Sequence, residues 1–271
     1  MSDPLSNHAI NLGFFDLCIA SGLVLVAALI SYKMRLGLER QLRIAALRTV
    51  VQLLLIGFVL KKIFMMENIW AILVLSVIMV VMAGRAAVAR PKRTVAGMNW
   101  LAMGALSLVG FVTTFSVTAI IIGVDPWYKA QYAIPLLGMI LGNSLNGLSL
   151  CIDSMLESLS AGWREVEMEL SLGASRWEAA QRPFAEAVRR GMMPTINSMM
   201  VVGIVSLPGM MTGQILEGAN PVSAVKYQIV VMFMIAASTA MGSLLIAFLM
   251  YKRLFNARHQ LNHQLIQSTK R

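Results

Sequence analysis

Seven long apolar runs divide this chain, at Gly13–Ser31, Ile44–Leu60, Ile69–Ala89, Asn99–Gly123, Tyr132–Met155, Thr195–Glu217 and Gln228–Met250. A helix needs about 20 apolar residues, at about 1.5 Å of rise each, to cross a hydrocarbon core about 30 Å thick. The pattern predicts an all-α, polytopic membrane protein with about seven transmembrane helices. The runs take up over half of the 271 residues, and no internal repeat, low-complexity tract or long linker sets a second domain apart. Residues 1–271 are therefore expected to form a single transmembrane domain.

Composition agrees, at 58% hydrophobic and only 13% charged, where soluble domains are about a quarter charged. The net charge of +10 is informative through its placement. Lys33 to Arg48 carry five basic residues, Arg85 to Arg93 four, Arg164 to Arg190 five and the tail from Lys252 five, against Lys61, Lys62, Lys129 and Lys226 in the intervening loops. By the positive-inside rule the N-terminus lies outside and the C-terminus in the cytoplasm, which requires an odd number of crossings. Such residues meet anionic lipid headgroups, and no nucleic-acid role is assigned to them. No Lys or Arg precedes Lys33, so the first run lacks the basic start of a cleaved signal peptide and is expected to be retained. Cys18 and Cys151 fall in apolar runs outside any CxxC and are expected to be reduced packing residues.

The main polar interruption, Glu165 to Pro194, thereby falls on the cytoplasmic side, in a segment at about 157–193. Val166, Leu170, Gly173, Trp177, Ala180, Phe184 and Val188 recur at steps of three and four, which is one helical face. Gly173 is suited to the left-handed conformation that ends a helix at Leu172. Ser175-Arg-Trp-Glu178 fits a capping box that starts another. The spacing predicts a helix, a tight Gly-Ala-Ser turn and a second helix. An amphipathic helix lying on lipid accounts for Trp177 and Phe184. It leaves Glu165, Glu167 and Glu169 unexplained, because an anionic leaflet repels carboxylates. A groove on a soluble partner suits them better.

No GxxxxGK[ST] occurs, so the chain has no loop of its own to cradle ATP phosphates; GxSxG, HExxH and GxGxxG are absent too. No catalytic residue and no enzyme activity are expected. His8, His259 and His263 lie in the terminal segments, where solvated positions are expected. Within the membrane, Ser206-Leu-Pro208-Gly209-Met210-Met211-Thr-Gly213 interrupts the sixth run. Pro208 removes a helical hydrogen bond, and broken helices at membrane depth are where transporters place substrate. Pro208, Gly209, Met210 and Met211 are thus candidate pathway residues. Asn143 in the fifth run, Gln52 in the second and Asp16 in the first join them as intramembrane polar groups. Gly138-Met-Ile-Leu-Gly142 is a GxxxG that permits close helix approach. No metal-ligand set is legible: Asp16, Met210 and Met211 are the candidates, and thioethers favour Cu(I) over Fe(II).

Glu167-Met-Glu-Leu-Ser-Leu-Gly173-Ala-Ser resembles the coupling motif of ABC-transporter permeases, with Met168 and Glu169 in place of two alanines and no Leu-Pro at the usual distance. The resemblance assigns ATPase coupling to Glu167, Gly173, Ala174 and Ser175, with Glu169 and Leu172 beside them. Four further segments, Arg48-Thr-Val-Val-Gln-Leu-Leu-Leu-Ile-Gly57, Ile134-Pro-Leu-Leu-Gly-Met-Ile-Leu-Gly-Asn143, Val205-Ser-Leu-Pro-Gly-Met-Met-Thr-Gly213 and Lys226-Tyr-Gln-Ile, resemble the Fet-type iron-exporter permeases, with plant aluminium-tolerance permeases as relatives. This resemblance runs from the second run to the tail. It implies a permease of the bacterial inner membrane, homodimeric and paired with a cytoplasmic ABC ATPase that binds the ATP and Mg. Iron or a related metal is the implied cargo, moved outwards. Import by the same machinery, or a non-transporting scaffold worked by the ATPase, are the alternatives.

Overall fold

The computed structural model describes residues 13–66, 68–256 and 258–268; His8 lies outside them. Its order is α1 (Phe14–Lys33), α2 (Glu39–Met66), α3 (Ile69–Ala89), β1 (Arg93–Val95), α4 (Met98–Phe115) continued by a π-helical turn (Ser116–Ile121), α5 (Ala130–Ala161), α6 (Trp163–Ser171), α7 (Arg176–Val201), α8 (Gly209–Leu216), α9 (Pro221–Leu254), a 3-10 turn (His263–Leu265) and β2 (Ile266–Ser268). The fold is all-α apart from one two-stranded antiparallel ribbon, in which Arg93 faces Ser268 and Val95 faces Ile266. Among the described residues six helices are long and apolar enough to cross a membrane: α1, α2, α3, α4 with its π-helical turn, α5 and α9.

Two compact units are present, one built on Ile69–Gly213 with Asn220–Arg271, the other on residues up to Asn68 with Gln214–Ala219. In the smaller unit α1 and α2 are joined by a turn fixed by the buried Ser31. Its Oγ accepts the Leu38 N–H at 3.1 Å and donates to Glu39 at 3.4 Å. Val50, Leu53, Leu54 and Phe58 on α2 remain exposed, as suits a helix whose neighbours are lipid.

The larger unit is held by α5, α7 and α9, with α3 and α4 against α5. Leu148, Ile152, Met155 and Leu156 of α5, Ala180 and Ala187 of α7, and Ile246, Met250 and Leu254 of α9 are fully enclosed. Since lipid tails are as apolar as these side chains, close van der Waals packing at small residues must supply much of the association. A Cβ at Gly191 of α7 would lie 2.8 Å from the Gly147 carbonyl of α5 and 2.8 Å from Ser243 Oγ of α9. α5 and α7 therefore meet nearly backbone to backbone, with the Ser243 side chain of α9 pressed against them. Gly138 and Gly142, expected to mark the close approach, are roomier, with Met79 Cε 3.4 Å from a Cβ at Gly138 and nothing within 4 Å at Gly142.

The stretch expected as the sixth crossing, Thr195–Glu217, is divided between the end of α7, a loop and α8. α7 runs from the polar segment through Pro194 without interruption. The break falls at residues 202–208, starting earlier than the Ser206–Gly213 segment suggested and overlapping it only at 206–208. Gly203 takes φ +85°, and the Val201 carbonyl accepts from both Val205 (3.0 Å) and Ser206 (3.2 Å). Pro208 precedes α8 rather than breaking it, because the first turn has free amides and a proline there forfeits nothing. Gly209–Gly213 are helical.

Candidate functional site

The helix–turn–helix expected around Gly173 is present, and local hydrogen bonds close the end of α6 and open α7. Gly173 has φ +97°; its N–H bonds the Leu170 carbonyl at 3.1 Å, and the Ala174 N–H bonds the Glu169 carbonyl at 3.1 Å. This crossed pair is a Schellman motif, which ends α6 on a left-handed glycine. Ser175 then opens α7 with a reciprocal capping box: Glu178 Oε2 accepts the Ser175 N–H at 2.7 Å, and Ser175 Oγ accepts the Glu178 N–H at 3.3 Å. The hydrogen bond from the Ser175 backbone, with a second from its side chain, holds the Glu178 carboxyl below its ordinary value.

Beneath the turn Val166, Ala179 and Ala180 are buried. The outward side is bare. Leu172 is 81% exposed and Met168 58%, Glu165, Glu167 and Glu169 are exposed, and nothing lies within 4 Å of a Cβ at Gly173. An apolar knob, ringed by carboxylates and held on a rigid turn, is chemically suited to insertion into a complementary groove.

Along α7 a chain of cavities connects this end of the larger unit to the helix break. A mouth of about 830 Å³ is lined by Arg182, Glu186, Arg189, Arg190 and Pro194; Arg190 reaches Glu186 at 2.7 Å and Glu157 at 3.6 Å. Beside it, Arg90 donates to Asn146 and the Lys92 N–H donates to Asp153 at 2.9 Å, around a space that shares Pro194. Next comes a polar cavity of about 260 Å³ with Asn143, Asn146, Thr195, Ser198 and Ser206 in its wall. It shares Val202, Pro208 and Met232 with an apolar cavity of about 410 Å³ lined also by Met199, Met211 and Gln228. Gln228 is 94% buried, and its Oε1 has no hydrogen-bond partner among the described residues.

The structure therefore places Asn143 and Met211 in the walls of two neighbouring cavities, with Pro208 in both. Asn143 Nδ2 also donates to the Met139 carbonyl at 2.8 Å. Met210 turns away, into a separate cluster with Val117, Ile140 and Met234, and Gly209 is the first residue of α8. Gln52 is exposed on α2. Asp16 makes a local contact, accepting the Gly13 N–H at 2.8 Å at the start of α1. Among the described residues no three His, Cys, Asp or Glu side chains converge as a metal-binding group. Cys18 is exposed, Cys151 is buried, and both are free.

Sequence reasoning missed Asn146, Thr195, Ser198 and Gln228, whose signal was a polar residue inside an apolar run. His259 and His263 are exposed, as expected, yet each has a partner that sequence reasoning did not foresee: His259 Nδ1 accepts the Arg176 N–H at 2.9 Å, and the His263 ring stacks on Trp163 with centroids 4.8 Å apart. Contacts spanning about 80–100 residues carry no local sequence signal.

The six long apolar helices among the described residues define a multi-pass membrane protein. Residues 14–255 match the Uncharacterised protein family (UPF0014), and the chain belongs to that family. It is similar to the UPF0014 membrane protein slr1647 of Synechocystis, 36% identical over 94% of this chain and 98% of the relative. It is also similar to the "Probable iron export permease protein FetB" of Escherichia coli, at 32% over 91% and 93%, and to the protein ALUMINUM SENSITIVE 3 of Arabidopsis thaliana, at 31% over 90% and 88%. No solved structure matches the chain.

Proposed function

We propose that this chain is the membrane-spanning permease subunit of an ABC-type exporter in the bacterial inner membrane. Two copies would form the pathway, each gripped by a separate cytoplasmic ATPase that holds ATP and Mg. The observation that carries this reading is the Leu172–Ser175 turn, whose Leu172 and Gly173 face outward and are uncovered among the described residues. The name of FetB supports iron, or a related metal, as cargo and export as direction. In this reading the metal is the substrate, and the chain holds no resident cofactor.

The mechanism follows from the continuity of α7. Closure of the ATPase pair would displace the Ser175 end of the helix. Because Gly191 packs against Gly147 and Ser243, the helix would pivot near its middle and transmit that displacement to the loop at residues 202–208. The polar cavity beside Asn143 and the apolar cavity beside Gln228 flank that loop, so the same stroke would reshape both.

The test is reconstitution of the chain with its ATPase in vesicles. ATP-dependent movement of iron away from the cytoplasmic face is expected; hydrolysis without flux would overturn the transport reading, and inward flux the export reading. Gly173→Arg should insert in the membrane and lose co-purification with the ATPase. Gly173→Ala keeps the strain of a left-handed side chain, about 1–2 kcal/mol, without the bulk, and should retain most of it. Full co-purification of the arginine variant would overturn the docking assignment.

A further inference from the structure

The segment that follows α9 folds back onto the two helices that flank the turn. Phe255 and Leu261 are buried and form an antiparallel bridge. Asn256 ties the loop between them: its Oδ1 accepts the N–H of Arg258 at 2.9 Å and of Gln260 at 3.0 Å, and its Nδ2 donates to Gln260 Oε1 at 2.9 Å. The loop holds His259 at φ +55°, an uncommon conformation for a residue with a side chain. It aims the imidazole at the start of α7.

The first four amides of a helix have no partner within it. In α7 the Glu178 amide is taken by Ser175 Oγ, and the Arg176 amide by His259 Nδ1. The Arg176 guanidinium returns to the Asn256 carbonyl at 3.4 Å. Further along, His263 lies flat on Trp163 at the start of α6, with ring planes 14° apart, and β2 pairs with β1 in the α3–α4 connection. The tail thus grips both helices that flank the turn and anchors them to a third element. The turn has no such anchor of its own, since Leu172 and Gly173 face outward.

We propose that Phe255, Asn256 and residues 258–268 form a clamp that positions the coupling turn, with His259 as its positioning residue. The proposal rests on the docking reading for its consequence, transmission of the ATPase stroke, but not for its geometry. Its chemistry is specific. Nδ1 must be the unprotonated nitrogen, because a protonated one would present a donor to the Arg176 donor. An asparagine can offer an oxygen from nearly the same place; an alanine cannot.

The test uses the full chain carrying His259→Ala or His259→Asn, in detergent and in vesicles with the ATPase. Without the ATPase, His259→Ala should speed amide exchange at Arg176 roughly five- to tenfold, the effect of losing one hydrogen bond, and His259→Asn should restore protection. With the ATPase, His259→Ala should co-purify but move several-fold less cargo per ATP, again restored by asparagine. Unchanged exchange in the alanine variant would overturn the clamp, as would equal impairment of both variants. Failure of the wild-type chain to bind the ATPase would instead overturn the docking reading, and the exchange measurement would still decide the clamp.

Discussion

Ser175 and Glu178 show how much of the candidate site is written in adjacent residues. Their capping box and the left-handed Gly173 were readable because each signal sits within four positions of its partner, so the chain's local stereochemistry is sufficient. Ser175→Ala removes the hydroxyl acceptor but keeps the backbone N–H that Glu178 accepts. It should lower protection of the first turn of α7 by about 1 kcal/mol, the usual cost of an N-cap, as hydrogen exchange would measure. The charged carboxylate is the bonded form, so the Glu178 value is depressed in the folded state. Its contribution is complete above the ordinary glutamate range and is lost as pH falls through the depressed value. A carboxyl NMR titration should show that depression largely retained in Ser175→Ala, because its main cause is the backbone bond. His259 is the opposite case. Its contact crosses 83 residues, and nothing in Arg258-His-Gln marks it.

At the scale of elements, hydropathy located the long apolar helices but divided α7. Pro183, Pro194 and the arginines read as a boundary between a cytoplasmic helix and a membrane run, yet one 26-residue helix carries both. The prolines are tolerated because α5 and α9 pack along the helix and fix its axis, a tertiary effect that no local propensity expresses. Within one chain the close approach lies elsewhere, for the same reason. GxxxG spacing pointed to Gly138 and Gly142, whereas contact falls on Gly147 and Gly191, glycines from two different helices. Gly191→Ala would drive a methyl against the Gly147 carbonyl, and neither backbone can yield without separating the helices. A loss of about 1–3 kcal/mol is expected, seen as a lower melting temperature in detergent. Gly142→Ala, with nothing within 4 Å, should melt like the parent.

At the scale of the whole molecule, charge counting and the geometry of the larger unit can be set against each other. Three of the four basic segments meet at one end of that unit: the α3–α4 connection pairs with the tail, and the tail binds the start of α7. α5 and α9 both finish at that end. α9, with 34 residues, is about 51 Å long at 1.5 Å per residue, so it must begin at the opposite end. The chain between Arg176 and Asn220 therefore has to travel from one end to the other. α7 covers about 39 Å of this by the same rise, although its polar first half keeps it from reading as a span. A crossing there would supply the odd number that the charge pattern calls for. It predicts a definite labelling pattern in intact cells, with Cys18 and Cys151 first replaced by serine. Cysteines at Met168 and Gln264 should be shielded from an impermeant maleimide until the membrane is opened, whereas one at Ser223 should react at once. Immediate labelling at Met168 would put the acidic knob outside the cell. No cytoplasmic ATPase could then grip it, whatever the fit of the turn.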